Sequence, residues 1–425
     1  MYKLKLPILA IALVLFTLVS CVPPPAEAPF APEMNAEISA NPSTGEPTGG
    51  ETPDTPEPPA PSVLPSPELP PSARIQFAGD ILLHSGPVKT AKTGENTYDF
   101  RPFFEEIAPY IDGDLAICNI ETPIDVKGGN KDLTSYPMFN APREILSALR
   151  GAGFDTAINA NNHSFDKGFD GLVATRANLE AAGFKFTGTY ETREQRDTYL
   201  ILDVNGIKVG LIAYTDALNG LDTYIPESKR AFAIRKFSSA STKDVPRMLE
   251  DMDSCRDAGA ELIILALHWG AEYKDDPNDT QKEIARQLCA GGADILMGNH
   301  SHCVQPIVWL PGREEDHESL CVYSMGNFFA DQIGLNPPVP KTQYSMIMTA
   351  VITKDADGDA FVESAEYLPT YTYRYPNKDG YSIVPAANYA ASESLVSQTD
   401  RNNCQKAYDH VAKIVGDAVE VSALK

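Results

Sequence analysis

Short apolar runs, each followed by a small group of polar residues, set the folding class of this chain. Residues 262–267 contain no polar side chain, which is typical of a strand buried on both faces of a parallel sheet. Other short apolar runs alternate along the chain with segments of helical periodicity, such as residues 245–258. This alternation of strands with helices predicts an α/β fold.

The predicted elements begin at residue 75. Strands are predicted at residues 75–78, 81–83, 115–118, 156–158, 199–204, 208–214, 262–267, 295–297, 320–323, 346–353 and 360–367. Helices are predicted at residues 142–150, 169–182, 245–258 and 281–290. Asn205-Gly206 predicts a hairpin between two of the strands, and the last two strands are expected to pair antiparallel. We therefore expect a layered sandwich with mixed sheets in one large domain, residues 73–385, followed by a helical C-terminal extension, residues 386–425.

The first 21 residues have the features of a signal peptide. Lys3 and Lys5 precede an apolar run at residues 6–19, and this run is shorter than the about 20 residues that a membrane-spanning helix needs. Leu18-Val19-Ser20-Cys21 then resembles a bacterial lipobox, in which the Cys becomes the lipidated first residue. The alternative is an uncleaved membrane anchor. Both place the rest of the chain on the extracytoplasmic face of the cell membrane, and the first makes it a lipid-anchored lipoprotein.

Residues 22–72 have the composition of a tether. They contain 16 of the 34 Pro residues, eight acidic residues and no Lys or Arg. Such a segment cannot bury enough apolar surface to offset its ordering entropy, and its Pro content favours extended backbone. We expect it to be disordered and to hold the folded domain away from the lipid surface.

The charge of the chain excludes one class of partner. The formal net charge is −23, from 58 acidic residues against 35 Lys and Arg. A chain this acidic has no general attraction for nucleic acid or for an anionic membrane.

Seven Cys residues in 425 are too few for a disulfide scaffold, and Cys118, Cys303 and Cys321 are expected to be packed thiols.

Five of the seven His residues stand in polar clusters directly after predicted strands. They are His84, His163, His268, His300 and His302. Ligands of open α/β sheets gather beyond the carboxyl ends of strands, and His is the commonest transition-metal ligand. A lone His at a strand end is more often a structural residue. Five such clusters in succession predict a shared site.

Acidic and amide side chains accompany these imidazoles. Asp80, Glu121 and Asn162 each lie close behind a predicted strand. The pattern His300-Ser301-His302 would carry both imidazoles on one side of an extended chain, because strand side chains alternate. Carboxylates, an amide and several imidazoles form a ligand set that suits Mn, Fe or Zn better than Ca or Mg.

The order of these motifs resembles that of the CapA family of capsule and poly-γ-glutamate synthesis proteins, which is similar to the calcineurin-like metallophosphoesterases. The matching segments are Ala78-Gly79-Asp80, Asn119-Ile120-Glu121, Asn161-Asn162-His163-Ser164-Phe165-Asp166, His268-Trp269-Gly270-Ala271-Glu272-Tyr273, His300-Ser301-His302 with Gln305-Pro306, and Tyr323-Ser324-Met325-Gly326-Asn327-Phe328. The resemblance covers about residues 74–329. It implies a four-layer α/β/β/α sandwich around a site for one or two divalent transition-metal ions.

The resemblance also implies a role for each motif residue. Metal ligands are implied at Asp80, Glu121, Asn162, His268, His300 and His302. His163 would face the leaving group, and Asp166 would either orient His163 or cap its loop. Additional contacts are expected from His84, Asn119, Glu272 and Asn327. Two features depart from the phosphoesterase pattern: three residues separate Asp80 from His84 where that pattern has one, and Glu121 stands where it has a bridging Asp.

We therefore expect a metal-dependent, phosphoesterase-like hydrolase that acts in capsule or poly-γ-glutamate biosynthesis. Its substrate would be an envelope polymer or another molecule with a phosphoester or carboxylate group, and subunits of a membrane synthase are expected partners. The alternative is a non-catalytic accessory or scaffold protein that binds the polymer or a synthase through the same cleft. A surface phosphatase unrelated to capsule is a further reading.

Overall fold

A computed structural model describes residues 70–314, 316–332, 339–375, 380–387 and 397–423. All of them belong to the compact unit Pro67–Lys425. Cys21 and residues 22–69 lie outside the described residues, so the signal peptide, the lipid anchor and the tether stay predictions. Within the described ranges, no helix is both long and apolar enough to span a bilayer.

The described part of the chain forms two sheets. The strands are β1 (Ser72–Leu82), β2 (Leu115–Ile120), β3 (Thr156–Ile158), β4 (Lys185–Thr187), β5 (Leu200–Val204), β6 (Ile207–Thr215), β7 (Leu262–His268), β8 (Ile295–Asn299), β9 (Ile307–Pro311), β10 (Glu318–Val322), β11 (Asn327–Ala330), β12 (Tyr344–Lys354), β13 (Ala360–Arg374), β14 (Tyr381–Pro385) and β15 (Glu420–Val421). The larger sheet has the order β14-β13-β12-β1-β2-β3-β4, with β11 beside β1 and β15 beside β13. The smaller sheet has the order β5-β6-β7-β8-β10-β9.

Parallel pairing lies at the centre of both sheets. β1, β2, β3 and β4 run parallel in the larger sheet, and β6, β7, β8 and β10 run parallel in the smaller one. The carboxyl ends of these strands therefore meet at one edge of each sheet, where a ligand site is expected. Antiparallel strands flank the centre, as in the predicted hairpin of β5 and β6 around Asn205-Gly206.

Seven α-helices connect the described strands. They are α1 (Ser85–Thr90), α2 (Glu144–Ala152), α3 (Gly168–Ala181), α4 (Arg193–Asp197), α5 (Val245–Asp257), α6 (Asp279–Ala290) and α7 (Gln398–Val415). Short 3₁₀ turns occur at Arg101–Phe103, Ala108–Tyr110, Leu221–Tyr224, Glu227–Lys229, Thr242–Asp244 and Pro340–Gln343. The start of α6 is fixed by a capping box, in which Asn278 and Gln281 satisfy each other's backbone N–H groups.

Hydrophobic packing arranges these elements in four layers. Phe77 and Ile117 of the larger sheet share a core with Leu211 and Ile264 of the smaller one. The opposite face of the larger sheet packs Ala116 and Cys118 against α2, and the opposite face of the smaller sheet packs Leu265 against α5 and α6. The expected α/β/β/α sandwich is confirmed.

Most predicted elements agree with the structure to within a few residues. One difference concerns residues 75–83, because β1 continues through Gly79-Asp80 instead of ending there. Another concerns short elements, since β4, β9, β11 and β14 were not predicted. α7 lies in the expected C-terminal extension and packs Cys404 and Ala407 against Tyr371 of β13. The six Cys residues from Cys118 onward are buried free thiols.

Candidate metal centre

The predicted ligands lie where the carboxyl edges of the two sheets meet. Asp80 belongs to β1 and Glu121 directly follows β2. Asn162 lies in the loop after β3. In the smaller sheet, His268 ends β7, and His300 and His302 follow β8. Five of these six residues are buried and His300 is half-buried. The site therefore needs both sheets, and each supplies about half of its ligands.

Polar atoms from several elements converge on one nitrogen of His268. Its Nε2 lies 2.8 Å from Asn162 Oδ1, 3.1 Å from His300 Nδ1 and 3.4 Å from Glu121 Oε1. One ring nitrogen can donate only one hydrogen bond or accept one. Several donor atoms around one point are instead the arrangement of metal ligands, and Glu121, His268 and His300 have ligand atoms within 4.8 Å of one another.

A second group of ligand atoms shares Glu121. Asp80, Glu121 and His302 also present one ligand atom each within 4.8 Å of one another. His302 Nδ1 lies 3.6 Å from Asp80 Oδ2. Glu121 belongs to both groups, which is the placement that the bridging position requires. The structure therefore contains residue groups that fit one or two metal ions.

The surroundings of the Glu121 carboxylate show whether these residues fit a metal ion. Its side chain is buried, and neither oxygen has a hydrogen-bond partner among the described residues. A buried carboxylate without partners is costly, because desolvation is not compensated. A cation between Glu121 and the imidazoles removes that cost, and the set of imidazoles, carboxylates and one amide suits a transition metal.

The pKa values in the site follow from burial and from the two carboxylates. Burial and the charge of Asp80 raise the pKa of Glu121 well above its usual value. Burial lowers the pKa of His268 to about 3 and, together with the charge of His268, that of His300 to about 3. Burial also lowers the pKa of His302, but the charges of Glu121 and Asp80 outweigh it and raise this pKa to about 9. His268 and His300 are thus held neutral, the form that binds a metal.

Asparagine side chains hold several of the ligands in place. Asn119 Nδ2 donates to Asp80 Oδ1 at 2.7 Å and lies 3.3 Å from His268 Nδ1. Asn327 Oδ1 lies 2.9 Å from His302 Nδ1. Asn299 Nδ2 also donates to Asp80 Oδ1, at 2.8 Å, a contact that was not predicted. Its place inside Gly298-Asn299-His300 was the only available signal.

His163 and Asp166 form a pair beside the ligand groups. His163 Nδ1 lies 2.8 Å from Asp166 Oδ2, and the same oxygen accepts the backbone N–H of Phe139 at 2.7 Å. The Phe139 ring packs edge-on against the His163 ring, with centroids 4.8 Å apart. The carboxylate and the aromatic ring together fix the orientation of the imidazole. Phe139 was not predicted, because it lies on a loop with no motif.

A cavity of about 310 Å³ opens beside these residues. Its lining includes His84, His163, Glu272, His302 and the exposed Tyr136. His84 belongs to neither ligand group; its Nδ1 lies 3.2 Å from the carbonyl of Leu82 and 3.3 Å from the backbone nitrogen of Asp331. Glu272 is exposed at the rim. The structure thus places His84 and Glu272 around an access route to the ligand groups.

A turn, and not the predicted extended segment, brings the imidazoles of His300 and His302 close together. Both residues have positive φ angles, 97° and 58°, so the segment is not extended. Non-glycine residues in this region are uncommon and are held there by surrounding contacts. The backbone N–H of His300 donates to Asp80 Oδ2 at 3.2 Å. This bond ties the loop after β8 to the end of β1.

Comparison with known proteins assigns this fold and site to a family. The model of the family "Bacterial capsule synthesis protein PGA_cap" matches residues 74–332. Because this match covers more than half of the chain, the protein belongs to that family. The resemblance seen in the sequence motifs is confirmed.

Two characterised relatives carry CapA names. The PGA biosynthesis protein CapA of Bacillus subtilis (strain 168) is 26% identical over 260 residues, which are 60% of this chain and 63% of the relative. The capsule biosynthesis protein CapA of Bacillus anthracis is 26% identical over 265 residues, 61% of this chain and 60% of the relative. The chain thus matches somewhat over three fifths of the length of these relatives. The solved NAD nucleotidase of Haemophilus influenzae aligns with 83% of this chain and 65% of its own, at 10% identity and a TM-score of 0.40.

Proposed function

We propose that this protein is a metal-dependent hydrolase of capsule or poly-γ-glutamate biosynthesis. The observation that carries the proposal is the position of Glu121, a buried carboxylate without hydrogen-bond partners among the described residues, between two groups of imidazole and carboxylate ligands. Family membership supports the biosynthetic setting. The lipobox pattern ending at Cys21 supports a lipid anchor on the extracytoplasmic face of the membrane.

The residues of the chain divide into holding and proton-transferring groups. Asp80, Glu121, Asn162, His268, His300 and His302 would hold one or two Mn, Fe or Zn ions. A bound divalent ion supplies a Lewis acid that lowers the pKa of water to near neutral and stabilises developing negative charge. His163 would give a proton to the leaving atom, and Asp166 would keep its Nδ1 protonated and its Nε2 directed toward the cavity.

Metal analysis and a hydrolysis assay test the proposal together. The full chain, purified without a metal-affinity tag, is compared with the His268→Ala/His300→Ala double variant by elemental analysis. We expect one or two Mn, Fe or Zn ions per chain and the loss of at least one of them in the double variant, which keeps only the group of Asp80, Glu121 and His302. His317→Ala is the matched control, because His317 lies outside the site and stacks on Phe361.

The same preparations are then incubated with γ-linked oligoglutamate and with a phosphate monoester. Turnover of either substrate that disappears in the double variant and persists in His317→Ala supports a hydrolase and identifies its bond. Absence of metal from the wild type, even after Mn and Zn are offered, would reject the metal mechanism. Bound metal without any turnover would favour the accessory role, in which the cleft holds polymer or a synthase subunit.

A further inference from the structure

Half of the residues that line a second cavity are basic, and none of them is a candidate metal ligand described above. Its volume is about 550 Å³. The charged residues that line it are Arg196, Arg230, Arg235, Lys236, Arg247 and Asp222. The lining thus has five cationic side chains and one carboxylate in a chain of net charge −23, and Asp197, Asp244 and Asp251 pair with three of these cations from outside the lining. We call this feature the arginine cavity.

Arg235 is the buried, structural arginine of the arginine cavity. Its side chain is 2% exposed. Its Nε donates to Asp251 Oδ2 at 3.3 Å, its Nη2 donates to the carbonyl of Arg196 at 2.6 Å, and its Nη1 donates to the Tyr190 hydroxyl. All the donor-bearing nitrogens of this guanidinium are thus engaged, so Arg235 fixes the shape of the cavity and leaves binding to its neighbours.

Two further cations are balanced by carboxylates. Lys236 pairs with Asp222 inside the lining. Arg196 pairs with Asp197 at 2.9 Å and with Asp251 at 3.4 Å. Arg247 also pairs with Asp244, at 3.4 Å, but through one nitrogen only, so Arg230 and Arg247 remain as the cations with unused donors.

Arg230 and Arg247 retain unused donors. Arg230 Nε donates to the carbonyl of Ile225 at 3.2 Å. Arg247 Nη2 donates to the carbonyl of Lys236 at 2.6 Å and lies 3.4 Å from Asp244 Oδ1. Within the described part of the chain, the remaining N–H groups of both guanidiniums have no acceptor. A guanidinium with free N–H groups binds a carboxylate with paired, charge-assisted hydrogen bonds.

The arginine cavity lies a short distance along the chain from the metal centre. Asn219 Oδ1 accepts a hydrogen bond from Nδ2 of the candidate ligand Asn162, at 3.2 Å. Asp222, three residues later, lines the cavity. Three residues of extended chain span at most about 11 Å. An extended polymer at the metal centre can therefore place other groups at the arginine cavity.

We propose that the arginine cavity is a second binding site, in which Arg230 and Arg247 take the free carboxylates of an acidic peptide chain. The proposal rests on the proposed function for the nature of that chain, a glutamate polymer. The site itself rests on the cavity, its charge and the free guanidinium donors. It holds a stretch of polymer away from the residues that act on it.

Binding of a fluorescent γ-linked oligoglutamate to the full chain, followed by anisotropy, tests the site. A chelator is present, so that bound metal contributes nothing to the affinity. We expect the Arg230→Gln/Arg247→Gln double variant to bind at least tenfold more weakly than the wild type. Arg286→Gln is the control, because Arg286 is an exposed arginine on α6 that pairs with Glu283. Its affinity should equal that of the wild type.

A charge-preserving variant separates binding from folding. Arg230→Lys/Arg247→Lys should keep the wild-type melting temperature and show an intermediate affinity, since lysine keeps the charge but loses the paired geometry. Equal affinity of the wild type and the Gln double variant would overturn the proposal. Binding of pyrophosphate in place of oligoglutamate would overturn it as well, because the cavity would then be a phosphate site.

Failure of the binding site can be distinguished from failure of the hydrolase proposal. Arginine-dependent binding without any metal-dependent turnover would reject the hydrolase and support this site. Turnover that depends on His268, combined with unchanged oligoglutamate affinity in the Gln double variant, would reject this site alone.

Discussion

The two carboxylates of the metal centre are held in opposite ways. Asp80 accepts hydrogen bonds from Asn119, from Asn299 and from the backbone of His300. Burial alone would raise the pKa of Asp80, but the hydrogen bond and charge of His302, the charge of His268 and the Asn119 bond outweigh burial, so this pKa lies well below its usual value. Glu121 has no such support among the described residues. Asp80 is therefore held in place by the protein alone, whereas among the described residues Glu121 would gain a strong partner only from a bound metal ion.

We predict that Glu121→Gln weakens metal binding and stabilises the metal-free protein. The variant should bind metal at least tenfold more weakly, because an amide is a poorer ligand than a carboxylate. The metal-free variant should be more stable than the metal-free wild type by about 1 kcal/mol or more, since an unpaired buried acid is removed. Metal titration and urea unfolding measure the two effects. Glu363→Gln, at an exposed position of β13 outside the site, serves as the control and should change neither quantity; lower stability of Glu121→Gln would contradict the argument.

We predict that Asp166→Asn impairs turnover without removing metal. An amide can present its N–H to His163 Nδ1 and select the wrong tautomer, so kcat should fall by about tenfold or more. The metal content and KM should stay close to the wild type, because Asp166 belongs to neither ligand group. Asp166→Glu should recover part of kcat, which a purely structural role would not explain. Loss of metal in Asp166→Asn would show that the pair supports the ligands instead.

At the scale of secondary structure, the sequence predicts long periodic elements well and short ones poorly. Residues 262–267 and 245–258 carried strong patterns, and β7 and α5 lie there. β4 and β11 have three and four residues, and their pairing with neighbouring strands, rather than their own pattern, makes them strands. The site follows the same rule. Strand-end motifs identified the residues that come together at the sheet edges, but the turn that brings His300 and His302 together depends on contacts with β1.

Substitution of Gly79 tests the close approach of β1 to the segment before β11, and substitution of Gly151 provides a contrast. A Cβ on Gly79 would lie 1.9 Å from the carbonyl oxygen of Gly326, which accepts the backbone N–H of Asp80 at 3.0 Å. We predict that Gly79→Ala destabilises the protein by about 1–3 kcal/mol through this clash and weakens metal binding by displacing Asp80. Gly151→Ala in α2, where a Cβ would meet nothing within 4 Å, should stabilise by about 0.5–1 kcal/mol. Urea unfolding of both variants measures the contrast, and similar effects would contradict it.

At the scale of the whole molecule, the metal centre joins two sheets that are not hydrogen-bonded to each other in one ladder. Asp80, Glu121 and Asn162 come from the larger sheet and its loops, and His268, His300 and His302 from the smaller one. Apolar packing of residues such as Phe77 and Ile264 holds the sheets together elsewhere. A ligand that binds only the native arrangement therefore stabilises the whole sandwich.

We predict that metal raises the unfolding temperature of the whole domain. At a free concentration a hundred times its Kd, one bound ion should add about 2.7 kcal/mol to the free energy of unfolding. Differential scanning calorimetry with and without a chelator measures the shift. The His268→Ala/His300→Ala double variant should show a smaller shift, because it keeps only the group of Asp80, Glu121 and His302, and His317→Ala should show the full shift. A shift of equal size in the double variant would mean that the ion binds elsewhere.

The division of the candidate ligands between two sheets has a consequence for how the protein would lose a bound metal ion. Any disturbance that lets the layers slide by an ångström or two pulls the imidazoles away from the carboxylates, while every strand can remain intact. Metal occupancy would then report on the alignment of the layers more sensitively than circular dichroism, which detects only the secondary structure. At a metal concentration near the Kd, where binding adds little to the stability, we expect mild heating to release the ion before the secondary structure melts.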